Sequence, residues 1–105
     1  MRTGRVRSHA DFTALRQRGV RSRQRSVRVT YLAGAPEVRL AFAVGRPVGS
    51  AVVRNRLRRR LRALMVELDP PPGSYLVATT PAAATSTFAD LRVELAAALH
   101  EVTAP

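Results

Sequence analysis

Residues 51–68 read AVVRNRLRRRLRALMVEL, and this stretch decides what kind of fold the chain can adopt. At about 100° per residue, its aliphatic side chains fall within an arc of roughly 80°, which is typical of a helix with one buried face. These apolar positions are Val53, Leu57, Leu61, Leu64 and Leu68. The helix is expected to end at Asp69, where three prolines and Gly73 follow.

The same stretch carries six arginines between positions 54 and 62, and no acid before Glu67 relieves them. Arg54, Arg58 and Arg62 are like charges at i, i+4 spacing, and each such pair costs about 0.2–0.5 kcal/mol. A helix whose outer face only contacts solvent would carry both positive and negative side chains, so this pattern favours a surface that binds phosphate groups. Asn55 stands among the arginines, where it either reads a base edge or ribose hydroxyl or fixes the start of the helix.

The charge of the whole chain is equally uneven. The net charge is +11 over 105 residues, and 17 of the 18 basic residues lie in residues 1–62, which contain only two acids. Every basic residue is arginine, whose planar guanidinium suits phosphate. A basic part joined to a mildly acidic part indicates a binding patch.

Composition also excludes several classes of protein. There is no cysteine, which excludes disulfides and thiolate metal sites. No apolar run reaches the ~18 residues of a membrane span, and the N-terminus lacks the apolar segment of a signal peptide. We therefore expect a single cytoplasmic domain over residues 1–105, with residues 1–7 as a flexible basic tail.

The remaining elements follow from periodicity and turn residues. Residues 8–19 predict a short helix, and residues 20–26 a basic connector. Two alternating runs joined by Gly34–Glu37 predict a β-hairpin over residues 27–44. A strand over 74–80 and a helix from Thr87 complete an α-β-β-α-β-α order, in which the strands flanking the arginine helix should be parallel. The last helix is expected to bury Phe88, Leu91, Leu95, Leu99 and Val102.

No catalytic constellation is visible in the sequence. His9 and His100 are far apart and neither has a motif around it, and no cluster has the spacing of metal ligands. The aromatic side chains near the basic region can stack on unpaired bases or fill a small core. Alternation favours the core for Tyr31 and Phe42, and leaves both roles open for Phe12.

Residues 39–62, RLAFAVGRPVGSAVVRNRLRRRLR, resemble the signature of the bacterial ribonuclease P protein component. In that family a strand leads through a glycine turn into a helix carrying Arg-Asn-x-x-basic-Arg-x-x-Arg. Matches in the helix are Arg54, Asn55, Arg58, Arg59 and Arg62, and Gly49 and Ala51 match the turn. The segment SYLVATTPAA after the helix resembles the strand and proline loop that follow in the family, so the likeness covers about residues 5–100.

The resemblance implies an α+β fold, an α/β two-layer sandwich like the second domain of ribosomal protein S5, with a left-handed βαβ crossover. It implies a protein subunit of ribonuclease P, an endoribonuclease that removes the 5′ leader of precursor tRNA. In the family, the RNA subunit carries the chemistry with Mg²⁺, so no cofactor or catalytic residue is expected on the protein. The implied partners are that catalytic RNA and precursor tRNA, with no membrane and no DNA.

Site residues follow from the motif and the resemblance together. The predicted contacts to the catalytic RNA are Arg54, Asn55, Arg56, Arg58, Arg59 and Arg62. A cleft between the first helix and the sheet is expected to hold the leader through Phe12, Arg46 and Arg25. Two departures stand out: Arg16 occupies a position where the family often has a second aromatic, and Arg46-Pro47 replaces two adjacent lysines.

Two alternatives remain open from the residues alone. A structural RNA-binding protein, such as a small ribosomal protein, explains the charge asymmetry equally well. A DNA-binding regulator is weaker, because a helix-turn-helix partner is missing before the arginine helix. Because Arg58 and Arg62 lie off the apolar arc, their replacement by alanine is predicted to weaken RNA binding and to leave folding nearly intact.

Overall fold

The computed structural model describes residues 3–104, which form a five-stranded sheet with three α-helices. The elements are β1 (Thr3–Arg5), α1 (His9–Arg18), β2 (Val20–Arg23), β3 (Val27–Leu32), β4 (Val38–Ala43), α2 (Ala51–Leu68), β5 (Gly73–Thr79) and α3 (Phe88–Thr103). The α+β class and the six predicted elements are confirmed, and two strands are added to them. Within these residues no helix is long and apolar enough to cross a bilayer.

The strands are ordered β1-β4-β5-β3-β2, so β5 lies between the two strands predicted to form a hairpin. That hairpin is wrong: β3 pairs with β5 antiparallel, and β4 pairs with β5 parallel. Val77 of β5 lies opposite both Val29 and Phe42. The apolar run of β5 favours the centre of the sheet, where both edges of the strand are paired and both faces can be covered. The parallel β4-α2-β5 unit is confirmed, and its left-handed crossover stays a prediction.

Both edge strands correct the sequence prediction. Thr3–Arg5 is β1, paired parallel with β4, rather than part of a flexible tail over residues 1–7. Val20–Arg23 is β2, paired antiparallel with β3, rather than a connector. Both segments are short and rich in arginine. Edge strands tolerate such side chains because one side of the strand faces solvent, so neither segment has the apolar alternation that identifies an inner strand.

The main core lies between the sheet and the helices α2 and α3. Leu57, Leu61 and Leu64 of α2 are buried there, as are four of the five positions predicted in α3. The fifth, Phe88, is 43% exposed because it is the first residue of α3, directly after the N-cap Thr87, and lies at the end of the packed face. Tyr31 and Phe42 pack against this core, which confirms their predicted role.

The helix α1 covers part of the opposite face of the sheet. Leu15 is fully buried, yet it lies outside the core cluster formed by α2 and α3. A Cβ at Gly19, which follows α1, would meet the Thr30 methyl group at 2.5 Å. Thr30 follows Val29 in β3, and successive side chains of a strand face opposite sides. The sheet therefore has one face that carries the main core and one face that α1 covers only in part.

A pair of tyrosines holds the connection between α2 and β5. The Tyr31 and Tyr75 rings lie 4.8 Å apart between centroids, and their hydroxyls donate to the carbonyls of Pro72 and Pro71 at 2.9 and 2.6 Å. Burial, and to a smaller extent Tyr31, raises the pKa of Tyr75 far above its usual range. The phenol therefore stays a hydrogen-bond donor, and it fixes the proline turn that ends α2.

Candidate nucleic-acid interface

The arginine helix begins at a turn built from two glycines and a serine. After β4, a 3-10 turn spans Arg46–Val48, and Gly49 has a φ of 150°, a conformation that favours glycine. The Ser50 hydroxyl then accepts a hydrogen bond from the Val53 amide at 3.3 Å and caps α2. Ser50 thus fixes the start of the helix, and the alternative structural role considered for Asn55 is not needed.

The six arginines of α2 divide into an outer and a flanking group. Arg56, Arg59 and Arg62 are exposed, together with Asn55, whereas Arg54, Arg58 and Arg60 are half-buried. Arg59 and Arg62 lie opposite the leucines that reach the core, and Arg56 lies nearer the edge of the apolar arc. All predicted contacts except Arg54 and Arg58 are therefore exposed.

Arg58 of the flanking group and Arg62 of the outer group both contact the end of β4 or the residue after it. An Nη2–H of Arg58 donates to the Val44 carbonyl at 3.3 Å, and its Nη1–H donates to Asn55 Oδ1 at 2.9 Å. The Arg62 guanidinium carbon lies 5.5 Å from the centroid of the Phe42 ring, within the range of a cation–π contact. Within residues 3–104, Arg54 Nε is buried without a hydrogen-bond partner. This side of α2 therefore combines fixed guanidinium groups with an unpaired donor.

These contacts change the prediction made for Arg58. We expect Arg58→Ala to weaken RNA binding and also to lower the free energy of unfolding by about 1–2 kcal/mol, because two hydrogen bonds are lost. Urea denaturation of the free protein measures the second effect. Arg59→Ala is the matched control, since Arg59 is exposed on the same helix. Equal stability of the two variants would show that the Val44 and Asn55 hydrogen bonds contribute nothing.

Glu67, the first acidic residue after the arginines of α2 along the chain, does not neutralise them. Glu67, in the last turn of α2, forms an ion pair with Arg92 of α3. The other ion pair within the described residues joins Glu37 and Arg39 at 3.8 Å, on β4 and the turn before it. The outer surface of α2 therefore keeps its positive charge, which is the electrostatic condition for binding a polyanion.

The three residues predicted to hold the leader do not form one cluster. Arg46 follows β4 and Arg25 precedes β3, and both are exposed at the same end of the sheet, where these strands flank β5. Phe12 is half-buried on α1, which packs on the partly covered face. Arg25 also lines a cavity of about 360 Å³ together with the carboxylates Asp90 and Glu94 of α3. Arg46 does not line this cavity.

Two further arginines, missed by the sequence analysis, lie on the partly covered face of the sheet. Arg23 of β2 is the register partner of Arg28 of β3, and both are exposed. Arg28 in turn lies opposite Ala78 of β5, which lies opposite Ala43 of β4. The alternation of Arg28 with valines indicated its face. Its pairing with Arg23 could not be seen, because residues 20–26 were interpreted as a connector.

Comparison with known proteins places this arrangement in context. A family model described as Ribonuclease P matches residues 1–103. The chain is 41% identical to the ribonuclease P protein component of Acidothermus cellulolyticus, over 94% of this chain and 88% of that one. It is 38% identical to the component of Micrococcus luteus, over 99% and 91%. The component of Thermus oshimai is 40% identical, and this chain spans 62% of its length.

Solved structures agree with the fold. The RNase P protein from Staphylococcus aureus superimposes with a TM-score of 0.85 at 21% identity, covering 94% of each chain. The RNase P protein from Thermotoga maritima gives a TM-score of 0.76 at 24% identity, covering 87% of this chain and 90% of that one. At these sequence identities the superposition shows that the α+β fold is shared, and it shows nothing about function.

Proposed function

Because this chain belongs to the family of ribonuclease P protein components, which act with an RNA subunit in removing the 5′ leader of tRNA, we propose that α2 binds that RNA and that the opposite sheet face receives the leader of precursor tRNA. The family establishes the partnership with the RNA and the process. The contacts by which this chain takes part, and the chemical role of the RNA, are our proposal.

The observation that supports the RNA contact is the uncompensated outer surface of α2. Its exposed side chains Arg56, Arg59 and Arg62 surround Asn55, and the one acid of the helix is paired with α3. Guanidinium groups can each neutralise a phosphate and release its counterions. Arg54 adds a buried Nε–H, and a phosphate that reached this donor would offset a cost of about 1–3 kcal/mol.

The leader contact has a different basis. Single-stranded RNA is bound by a positively charged groove with aromatic side chains on which its bases stack. The partly covered sheet face offers Phe12 on α1, and Arg46 lies at the end of the sheet. Arg25 is the weaker candidate because Asp90 and Glu94 share its cavity. Separate faces for the catalytic RNA and the leader would let one small protein hold two polyanions near each other.

We assign the chemistry to the RNA subunit and its Mg²⁺. Within residues 3–104 no group of three or more acidic, histidine or cysteine side chains is placed to hold a metal ion. Mg²⁺ prefers oxygen ligands in near-octahedral geometry, and such a set is not found among the described residues. The protein then contributes binding, because its charge lowers the repulsion between catalytic RNA and precursor. We also propose that the protein acts in the cytoplasm, beside the RNA that it binds.

Reconstitution tests this function directly. Adding the purified protein to a bacterial ribonuclease P RNA and precursor tRNA should accelerate leader removal most strongly at low Mg²⁺ concentration. Raising the Mg²⁺ concentration should replace part of the effect, because the cation then screens the same phosphates. A structural RNA-binding protein would bind the RNA without accelerating cleavage. Failure to accelerate cleavage at every Mg²⁺ concentration, with the RNA bound, would contradict the proposal.

A further inference from the structure

The arginine pair on the partly covered sheet face is placed at a cost in stability. Arg23 and Arg28 are register partners in the antiparallel pair of β2 and β3, so their Cβ atoms are about 4.5–5.5 Å apart on one face. Like charges directly opposite each other destabilise a sheet. A pair of opposite charges or a neutral pair at this position would make the sheet more stable. We therefore expect the two arginines to have a role in binding rather than in stability.

Neighbouring groups do not relieve this repulsion. Arg21, two residues before Arg23 on the same face, donates to the Arg16 carbonyl and so satisfies the end of α1. Within residues 3–104 the two ion pairs are Glu37–Arg39 and Glu67–Arg92, and neither involves this row. Arg21 therefore serves the fold, while Arg23 and Arg28 keep their guanidinium groups available.

The sheet surface next to Arg23 and Arg28 carries small side chains. Arg28, Ala78 and Ala43 lie opposite one another on β3, β5 and β4, and the pair lines a cavity of about 270 Å³ with Thr30 and Ala78. Adjacent strands are about 4.8 Å apart, so the row spans roughly 14 Å across four strands. Alanine leaves room for a ribose-phosphate chain to lie close to the sheet.

Aromatic side chains are scarce on this face. The chain has five phenylalanine and tyrosine residues in all. Tyr31, Tyr75 and Phe42 belong to or pack against the core of α2 and α3, and Phe88 begins α3. Only Phe12 remains for the face that α1 partly covers, and the exposed Arg16 follows it one turn later. Base stacking, which gives about 1–3 kcal/mol per base, is therefore limited to one position here.

We propose that Arg23 and Arg28 form a phosphate clamp, by which this chain holds the single-stranded leader mainly through its backbone charge and with little preference among leader bases. This inference rests on the proposed function and adds how the leader is recognised. The clamp contacts two phosphates from one end of the alanine row. Arg46 lies beyond the other end of that row, after Ala43, and continues the positive path.

The test uses the holoenzyme reconstituted with a bacterial ribonuclease P RNA. Affinity is measured for precursor tRNAs with an eight-nucleotide leader and with a one-nucleotide leader, using wild type and the double variant Arg23→Ala/Arg28→Ala. The long-leader advantage is the ratio of the affinity for the eight-nucleotide leader to that for the one-nucleotide leader. In the double variant we expect this ratio to fall about tenfold at 0.15 M salt. The slope of its logarithm against the logarithm of salt concentration should fall by about 1.4, since each single-strand contact contributes about 0.7. Arg23→Lys/Arg28→Lys should restore most of the advantage, because it keeps the charge.

Two further arms distinguish the clamp from base-specific recognition and from a loss of folding. Leaders of all-uridine and mixed sequence should bind the wild type within about threefold, whereas neutral methylphosphonate linkages should reproduce the loss seen in the double variant. The thermal midpoint of the double variant should stay equal or rise, because a repulsion is removed. An unchanged long-leader advantage, or a larger effect of base identity than of linkage charge, overturns the clamp. A wild-type protein that fails to accelerate cleavage overturns the proposed function instead.

Discussion

Replacing Arg59 and Arg62 together with alanine should lower the affinity for the catalytic RNA by about thirtyfold at 0.15 M salt. Each phosphate contact on a duplex contributes about 0.9 to the log–log salt slope, so two lost contacts should flatten it by about 1.8. Both side chains are exposed, and among the described residues the contact of Arg62 with Phe42 is the one interaction that the variant loses. A salt titration of RNA binding measures both numbers, and stability should change by less than about 1 kcal/mol.

The matched control removes the same charge from the other face of the sheet. Arg23→Ala/Arg28→Ala changes the net charge equally, yet should alter affinity for the catalytic RNA alone by less than about threefold at the same salt. If both double variants weaken this affinity equally, the RNA responds to total charge rather than to α2. If the α2 variant unfolds and the folded fraction binds normally, the assignment of its faces is wrong.

Leu61→Ala should lower the free energy of unfolding by about 2–5 kcal/mol, without a direct effect on RNA contacts. Leu61 is completely buried in the cluster formed by α2, α3 and the sheet. Its truncation removes apolar contacts and leaves a cavity that the surrounding side chains fill only in part. Domains of this size have a total stability of about 5–15 kcal/mol, so the loss is a large fraction of it. Urea denaturation of the RNA-free protein gives the value.

Val66→Ala serves as the comparison, since Val66 lies on the outer side of the same helix and is 48% exposed. Its replacement should change stability by less than about 0.5 kcal/mol. RNA affinity of the Leu61 variant, measured at a temperature where it stays folded, should equal that of the wild type. A Leu61 variant as stable as the Val66 variant would mean that α2 does not pack as described.

The helices were predictable because their signals are local. The leucines of α2 repeat with the helical period, Asp69 and the prolines end the helix, and Thr87 with Asp90 forms the capping box of α3. Each of these features needs only a few neighbouring residues to take effect. The arginine surface followed from the same period, since the leucines fix which side of α2 remains outside.

The sheet was less predictable because its pairing is decided at a distance. The turn around Gly34 looks suitable for a hairpin, but β5 comes between β3 and β4 from more than thirty residues further along the chain. The edge strands β1 and β2 contain little apolar sequence, because solvent covers one side of them. The pairing of Arg23 with Arg28 was missed for this reason, and Phe88 was wrongly counted as buried because helical spacing does not say where packing stops.

The central place of β5 also constrains the order of events during translation. Neither β3 nor β4 has its inner partner until residues 73–79 have emerged from the ribosome, and α3, which covers β2 and β3, comes later still. Contacts between distant segments are slow to form. The nascent chain therefore exposes its arginines before it has a folded surface to present them, so the final third of the polypeptide controls when specific RNA recognition can begin.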